Sequence, residues 1–468
     1  MRLVRGYLPL FFVSASSIAL ACSSGDERTA APIDGDRDAA PPPPPGADPT
    51  PDAGAPEAAT PPVGLASRLE VKCTEPPCWV AVSGNGGEHY CGLLDDGTVR
   101  CWGRDTRLRG ETDPDSGAPL ADGALGRGRI VSALEGGTPA PVVGLSKVTQ
   151  ISVGPNLGTC ALTSDGAVYC WGRNEFGQLG QPASEPRVPV PARVEGLPPV
   201  SKIALGATLG CAIASSGGAL HCWGTQNTRT GPNLLTPGPA VTFGPQVMTA
   251  FRAPVKDVAI GAAPPVAIVN ANTTIDYQDT IVALLDDGVL ASVGELPAGP
   301  TSYQELYSQI PVEVPGVLRI GAYGYLGADG IAKRWVPSPR ALYVANAGAV
   351  VDVAIAPGRV RGTGVDANRI FVYVEQAGML LGDGRLYRWG RNTAGALGHA
   401  PDALDLVEEP MDMTHVAGNR VVSFAMTTAS TCVSLVDGKI KCWGSNQRGE
   451  LGRGSVDSEH HPEAEVIR

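Results

Sequence analysis

The chain of 468 residues carries 36 Lys and Arg against 47 Asp and Glu, a net charge of -11, with 60 glycines, 42 prolines and only 5% aromatic residues. The charge excludes the basic stripe that a nucleic-acid partner requires, and the glycine and proline content disfavours long helices and suits short strands joined by tight turns. The length fits two or three average domains or one large all-β unit.

Arg2 and Arg5 precede an apolar run from Leu8 to Leu20 that is too short and too rich in serine for a comfortable membrane span, and "ALAC" ends it at Cys22. A basic start, an apolar core and a small-residue stop predict a signal peptide over residues 1–21. "ALAC" resembles the bacterial lipobox, with Ala19 where leucine is usual. The resemblance implies lipidation of Cys22, plain cleavage being the alternative, and Ser23 beside it implies sorting to the outer membrane of a Gram-negative cell. Residues 23–62 carry eight acidic residues against two arginines and no apolar periodicity. A disordered, lipid-anchored tether is therefore expected over residues 22–63, with a folded domain over 64–468. Whether that domain faces the periplasm or the outside is left open.

Beyond the tether, "CGLLDDGTVRCWG" from Cys91 recurs as "CALTSDGAVYCWG" from Cys160 and "CVSLVDGKIKCWG" from Cys432. Seven copies can be aligned on the turn glycines Gly97, Gly166, Gly218, Gly288, Gly330, Gly384 and Gly438. Five residues after each glycine stands tryptophan (Trp102, Trp171, Trp223, Trp335, Trp389, Trp443), with Val293 in the fourth copy. Short apolar segments such as "VTQISVG" precede the motif, and glycine-rich loops such as "GRNEFGQLG" follow it. Each unit reads as strand, two-stranded hairpin, glycine loop and outer strand. The segments after Trp102 and Trp223 interrupt the pattern and are expected to be surface loops.

Cys91 and Cys101 are symmetric about Asp96, so a three-residue turn ending in Gly97 places them opposite each other on paired strands. Opposed Cα atoms lie about 4.5 to 5.5 Å apart, within disulfide reach. The same symmetry pairs Cys160 with Cys170 and Cys432 with Cys442; Cys211 and Cys222 have one extra residue in a turn that is one residue longer. The corresponding slots elsewhere hold Val282 and Ser292, Gly324 and Arg334, and Gly378 and Arg388, so thiols are kept or lost in pairs. Cys73 and Cys78 remain to pair with each other, Cys22 takes the lipid, and all 11 cysteines are placed, as suits an oxidising compartment. Buried free thiols are the alternative.

"CALTSDGAVYCWGRNEFGQLG" and "CVSLVDGKIKCWGSNQRGELG" resemble the regulator of chromosome condensation repeat family, from about Trp79 to the C-terminus, strongly in four copies and faintly in the three between Val255 and Gly398. The resemblance implies an all-β, seven-bladed β-propeller with about four antiparallel strands per blade. It does not carry over nucleotide exchange on a nuclear GTPase, which an exported protein would not meet.

No catalytic set is evident. The Asp-Gly pairs read as turn residues rather than calcium ligands or catalytic carboxylates, no serine sits in G-x-S-x-G, and the six histidines show no zinc spacing. His89, beside a repeat cysteine, reads as structural. The expectation is a non-enzymatic recognition module, a monomer that takes neither nucleic acid nor cofactor; an envelope scaffold or a carbohydrate-binding or carbohydrate-active propeller is the alternative. Arg104, Arg107, Arg109 and Arg127 form a locally basic insert and are the candidate binding residues, with an unidentified protein or polysaccharide as partner. Two segments compete to supply the last outer strand, "EAEVIR" and "ASRLEVKC".

Overall fold

The computed structural model describes residues 67–467 except 85–86, 106–122, 130, 231–235, 264–266, 269–277, 294–311, 322–323, 329–331, 335–349, 362–368, 402–405 and 428. The expected signal peptide, the tether, Cys22, Arg107, Arg109, Gly330 and Trp335 lie outside the described residues.

Antiparallel sheets follow one another along the chain. The first pairs Trp79–Ser83, His89–Leu94, Val99–Gly103 and Ala140–Pro141 in that order, and the second pairs Val148–Val153, Gly158–Thr163, Val168–Arg173 and Arg187–Arg193. The third runs from Val200–Leu205 to Thr236–Val247, the fourth from Val255–Ala263 to Val312–Val314, the sixth from Val350–Arg361 to Leu406–Asp412, and the seventh from Val421–Met426 to His460–Val466. Between the fourth and sixth, Val317–Gly321, Gly324–Gly327 and Ala332–Arg334 make a sheet of three strands. The fold is an all-β propeller of four-stranded blades, with six full blades rather than the seven expected from the repeat count. In the fifth repeat the chain after Arg334 departs from the pattern, and no fourth strand pairs there among the described residues.

Burial explains the strand sequences. Second strands such as Gly158–Thr163 and Ser430–Leu435 are buried at every position, because a neighbouring sheet covers each face. Val148–Val153 and Val200–Leu205 instead bury Val148, Ile151 and Val153, and Val200, Ile203 and Leu205, leaving the intervening positions partly solvated. The cores lie between sheets: Trp171 packs with Leu93, Val99 and Ile151 of the first and second, and Trp443 with Leu380, Leu386 and Phe424 of the sixth and seventh.

Two belts of hydrogen bonds repeat around the molecule. At one face, the carbonyl of each described turn glycine accepts the N–H of the residue that opens the next sheet: Gly97 from Val148, Gly166 from Val200, Gly218 from Val255, Gly288 from Val317 and Gly384 from Val421, all at 2.8–3.0 Å. Gly438 accepts from Trp79 at 2.9 Å, so the seam between last and first sheets uses the same bond. Positive φ at these glycines, 78° at Gly97 and 82° at Gly166, is what the turn demands of a residue without a Cβ. Where aspartate precedes the glycine, as it does in all the described turns but that of Gly218, it accepts the N–H two residues on, as Asp96 does from Thr98 at 2.8 Å and Asp287 from Val289 at 3.0 Å. That is a turn-forming role.

At the other face the tryptophans make the second belt. Four indole N–H groups donate to a carbonyl in the glycine loop of the preceding sheet: Trp171 to Ala124, Trp223 to Gln178, Trp443 to Ala396 and, across the closing seam, Trp102 to Glu450, at 2.8–3.0 Å, whereas the buried Trp389 N–H of the sixth sheet makes no such bond. The next residue in each loop, Leu125, Leu179, Leu397 or Leu451, is fully buried.

Five disulfides are present, Cys91–Cys101, Cys160–Cys170, Cys211–Cys222, Cys432–Cys442 and Cys73–Cys78. The four hairpin pairs have Cα atoms 4.1–4.2 Å apart, tighter than the expected spacing, with each cysteine directly opposite its partner in register.

The structure describes parts of both inserts, residues 106–122 of the first lying outside the described residues. The insert after Trp102 lies inside the glycine loop: Asp105 accepts the Leu125 N–H at 2.9 Å as Asn174 does from Leu179 at 3.0 Å, so Gly123 to Gly126 is the "GQLG" equivalent and is buried. The segment after Trp223 extends the third and fourth strands of its sheet, Leu220–Thr230 and Thr236–Val247, into a long hairpin. The last outer strand is His460–Val466, which includes most of "EAEVIR". Lys72 of "ASRLEVKC" instead donates its N–H to the Val436 carbonyl. Proline stands in the outer strands of the six full blades or flanks them (Pro141, Pro189, Pro237, Pro315, Pro410, Pro462), which blocks pairing with a further edge.

Candidate recognition face

Because the strands are antiparallel, connections from first to second and from third to fourth strand leave at one face, and the remaining connections leave at the other. The turn-glycine face carries only short links between consecutive strands in the full blades, such as Pro141 to Val148 and Arg193 to Val200. Every longer interval in those blades belongs to the tryptophan-loop face: Gly103 to Ala140, Ala263 to Gln278 and Val293 to Val312, together with the two extended hairpins of the third and sixth sheets.

The best-defined part of this face is the closing seam. Arg104, directly after the Trp102-Gly103 pair, donates from Nη1 to Glu88 Oε2 at 2.6 Å, and Arg448 Nε lies 3.5 Å from the same oxygen. Beneath them His89 is buried and makes a 2.9 Å hydrogen bond between Nε2 and Thr159 Oγ1 of the next sheet. Burial, assisted by the Arg104 charge, pushes its pKa down to about 4, so the ring is neutral and structural. Tyr90 sends its hydroxyl across the same seam to Ser430 at 2.9 Å, and burial raises its pKa to about 12.

Glu450 is the one carboxyl of this seam whose pKa burial raises to about 7. A carboxyl protonated near neutrality is what a general acid needs, but the repeat explains this one differently. Glu450 accepts the Arg448 N–H at 2.6 Å, as Gln178 accepts that of Phe176 at 3.0 Å five repeats earlier. It fills a glutamine position in a packed loop.

The candidate arginines divide. Arg104 is held at the rim by Glu88. Arg127 is spent on structure: its guanidinium donates to the carbonyls of Glu135 at 3.0 Å, Cys101 at 3.0 Å and Thr138 at 2.7 Å, and burial lowers its pKa. The sequence missed Arg173, which follows the second Trp-Gly pair as Arg104 follows the first; it reaches Asn156 Oδ1 at 2.8 Å and pairs with Glu175. The recurring W-G-R was the available signal. Cys73, Cys78 and Asp95 lie together, but both sulfurs are in the disulfide and Asp95 accepts the Cys78 N–H at 2.9 Å, which leaves no metal-ligand set there.

Comparison with known proteins agrees with this architecture. Two sequence models described as the Regulator of chromosome condensation (RCC1) repeat match residues 165–213 and 383–433, and 79–107 and 148–178. E3 ubiquitin-protein ligase HERC2 of Homo sapiens is 27% identical over 350 residues, 73% of this chain and 6% of that protein. Protein pim1 of Schizosaccharomyces pombe is 38% identical over 112 residues, 23% of this chain and 20% of pim1. The chain thus spans a small part of these relatives' lengths. Among solved structures, Prp20p from Saccharomyces cerevisiae, studied for its binding to Gsp1p and histones, superposes with a TM-score of 0.58 at 17% identity, covering 84% of this chain and 87% of that one. At that identity the likeness concerns the fold.

Proposed function

The chain belongs to the regulator of chromosome condensation repeat family, and from that premise we propose that its propeller is a non-enzymatic protein-recognition module carried outside the cytoplasm. In this reading residues 1–21 are removed on export, Cys22 is lipidated at the outer membrane, residues 22–63 form the tether and residues 64–468 form a monomeric propeller. The hairpin cystines suit an oxidising compartment.

One observation carries the recognition reading: the longer connections of the full blades start and end at a single face of the scaffold, while the opposite face is held to short turns. Loop variation on a fixed frame is how propellers and other β scaffolds acquire partners. The test is capture of envelope proteins on immobilised 64–468, compared with a variant in which 107–121 is replaced by a short Gly-Ser link. Residues 123–139 are kept, because removing them would strip Trp171 of its carbonyl partner. A stoichiometric protein retained by the parent and lost from the variant is the expected result. Retention of polysaccharide with no protein would overturn it in favour of a carbohydrate-binding module.

A further inference from the structure

Outside the recognition face, a shallow depression of about 470 Å³ opens at the turn-glycine face, where the sixth sheet meets the seventh; its lining includes Arg385, Asp412, Thr414, His415, Asn419 and Arg420. On a protein of net charge -11 this lining is cationic. Lys441 adds to it from the seventh sheet: its Nζ would lie 2.9 Å from a Cβ placed on Gly418, another lining residue.

The cations differ in how they are held. Arg385 is fixed, donating from Nε to Asp383 Oδ2 at 2.8 Å and from Nη1 to the Tyr387 hydroxyl at 3.1 Å, with its guanidinium 5.9 Å from the Tyr387 ring centre. Among the described residues, neither the Arg420 guanidinium nor the Lys441 ammonium has an ion-pair partner. The nearby carboxylate of Asp412 is turned to the Thr414 N–H at 2.8 Å. The Thr414 hydroxyl oxygen is buried yet makes no hydrogen bond. His415 is tied through Nδ1 to the Asp412 carbonyl at 2.8 Å, which leaves Nε2 for a ligand.

A fixed arginine, two cations outside any close ion pair, one of them felt by the Asp383 carboxylate, and an unused hydroxyl around one hollow are the parts of an oxyanion site, since a guanidinium fork matches the paired oxygens of carboxylate or phosphate. We propose that this depression binds the oxyanion of a small ligand, a carboxylate or a phosphate, with Arg420 and Lys441 as the principal binding residues and Arg385 as a preset support. The site is independent of the recognition face, which lies at the other ends of the strands.

The test is calorimetric titration of the full folded domain with inorganic phosphate and, separately, with glucuronate, at constant ionic strength set with chloride. Saturable binding of at least one probe is expected, weakened about tenfold by Arg420→Ala and a few-fold by Lys441→Ala. Arg252→Ala, which removes the same charge from the fourth blade, should leave the affinity unchanged. Preference for phosphate or for glucuronate would identify the source of the oxyanion. No saturable heat with either probe, or equal weakening by Arg252→Ala and Arg420→Ala, would overturn the site. Arg420 is exposed, so its variant is expected to fold with an unchanged thermal midpoint, and Lys441→Ala gives a second reading from another sheet.

Discussion

Sheets seven, one, two and three form an arc in which every hairpin is closed by a cystine, whereas sheets four, five and six form an arc with none. The cystine arc ties each blade to itself. In the other arc one of the same inner positions is filled by a residue that reaches a neighbour. Arg388 stands in a cysteine slot opposite Gly378, whose missing Cβ leaves room for the arginine Cδ, and its guanidinium bonds Gln376, the Ala377 carbonyl and Thr431 of the seventh sheet. Burial lowers its pKa to about 9, which leaves it charged at neutral pH. At the opposite boundary the buried Asp279 of the fourth sheet accepts the N–H groups of Thr208 and Leu209 in the third, at 2.6 and 2.9 Å. Both ends of the cysteine-free arc are therefore stitched to the cystine arc by a buried ionisable side chain. The comparison teaches that a covalent link within a blade can be exchanged for a polar link between blades.

The largest test removes what holds the cystine arc besides sulfur. Trp171→Ala empties a fully buried slot and leaves the Ala124 carbonyl unpaired, and about 3 to 5 kcal/mol of stability is expected to go, read by denaturant unfolding. Val293, in the same slot of the other arc, is smaller, and Val293→Ala should cost clearly less.

The closing seam adds a pH dependence that the seam of the second and third sheets lacks. The folded pKa of Glu450, about 7, stands above its unfolded value, so the folded state holds the extra proton between roughly pH 4.5 and 7. Stability should be full below that window and fall by up to about 3 kcal/mol as pH rises through it. Glu450→Gln, which copies Gln178, should flatten that slope and raise the thermal midpoint at pH 8. Parallel pH profiles for parent and variant would contradict this.

Replacing Cys160 and Cys170 together by alanine should cost about 2 to 3 kcal/mol, most of it through the unfolded chain. The cystine arc is expected to exchange its amide hydrogens more slowly than the cysteine-free arc, and mild reduction should narrow that difference. The smallest effect is expected when Gly378→Cys and Arg388→Cys transplant a cystine into the sixth blade. Loop closure is offset by the lost arginine bonds, so the net change should stay within about 1 kcal/mol while the midpoint becomes sensitive to reductant.

What could be read from the sequence was whatever repeats at fixed spacing. The turn glycines, the tryptophan slots and the paired cysteines all lie within one hairpin, so their geometry follows from local register. Contacts between repeats were hidden. Nothing near Asp105 announces that its loop resumes at Gly123, because the asparagine of the other loops has become aspartate and the insert separates it from its partner Leu125. Arg388 looked like the loss of a cysteine and is a bridge to Thr431. Of the arginines proposed for binding, Arg127 was legible as charge but not as the donor to three backbone carbonyls. Arg420 and Lys441 come together only through the packing of two sheets.

The way the last seam is made has a mechanical consequence. All four strands of the seventh sheet come from the final repeat, and the first sheet is joined to it by Trp79 to Gly438, Trp102 to Glu450 and Tyr90 to Ser430, with no strand shared between them. Under tension between the two ends of the folded domain, load falls on this seam before it reaches any hairpin closed by a cystine. The ring would open there like an unclasped bracelet, with each blade intact, and it could close again when the pull is released.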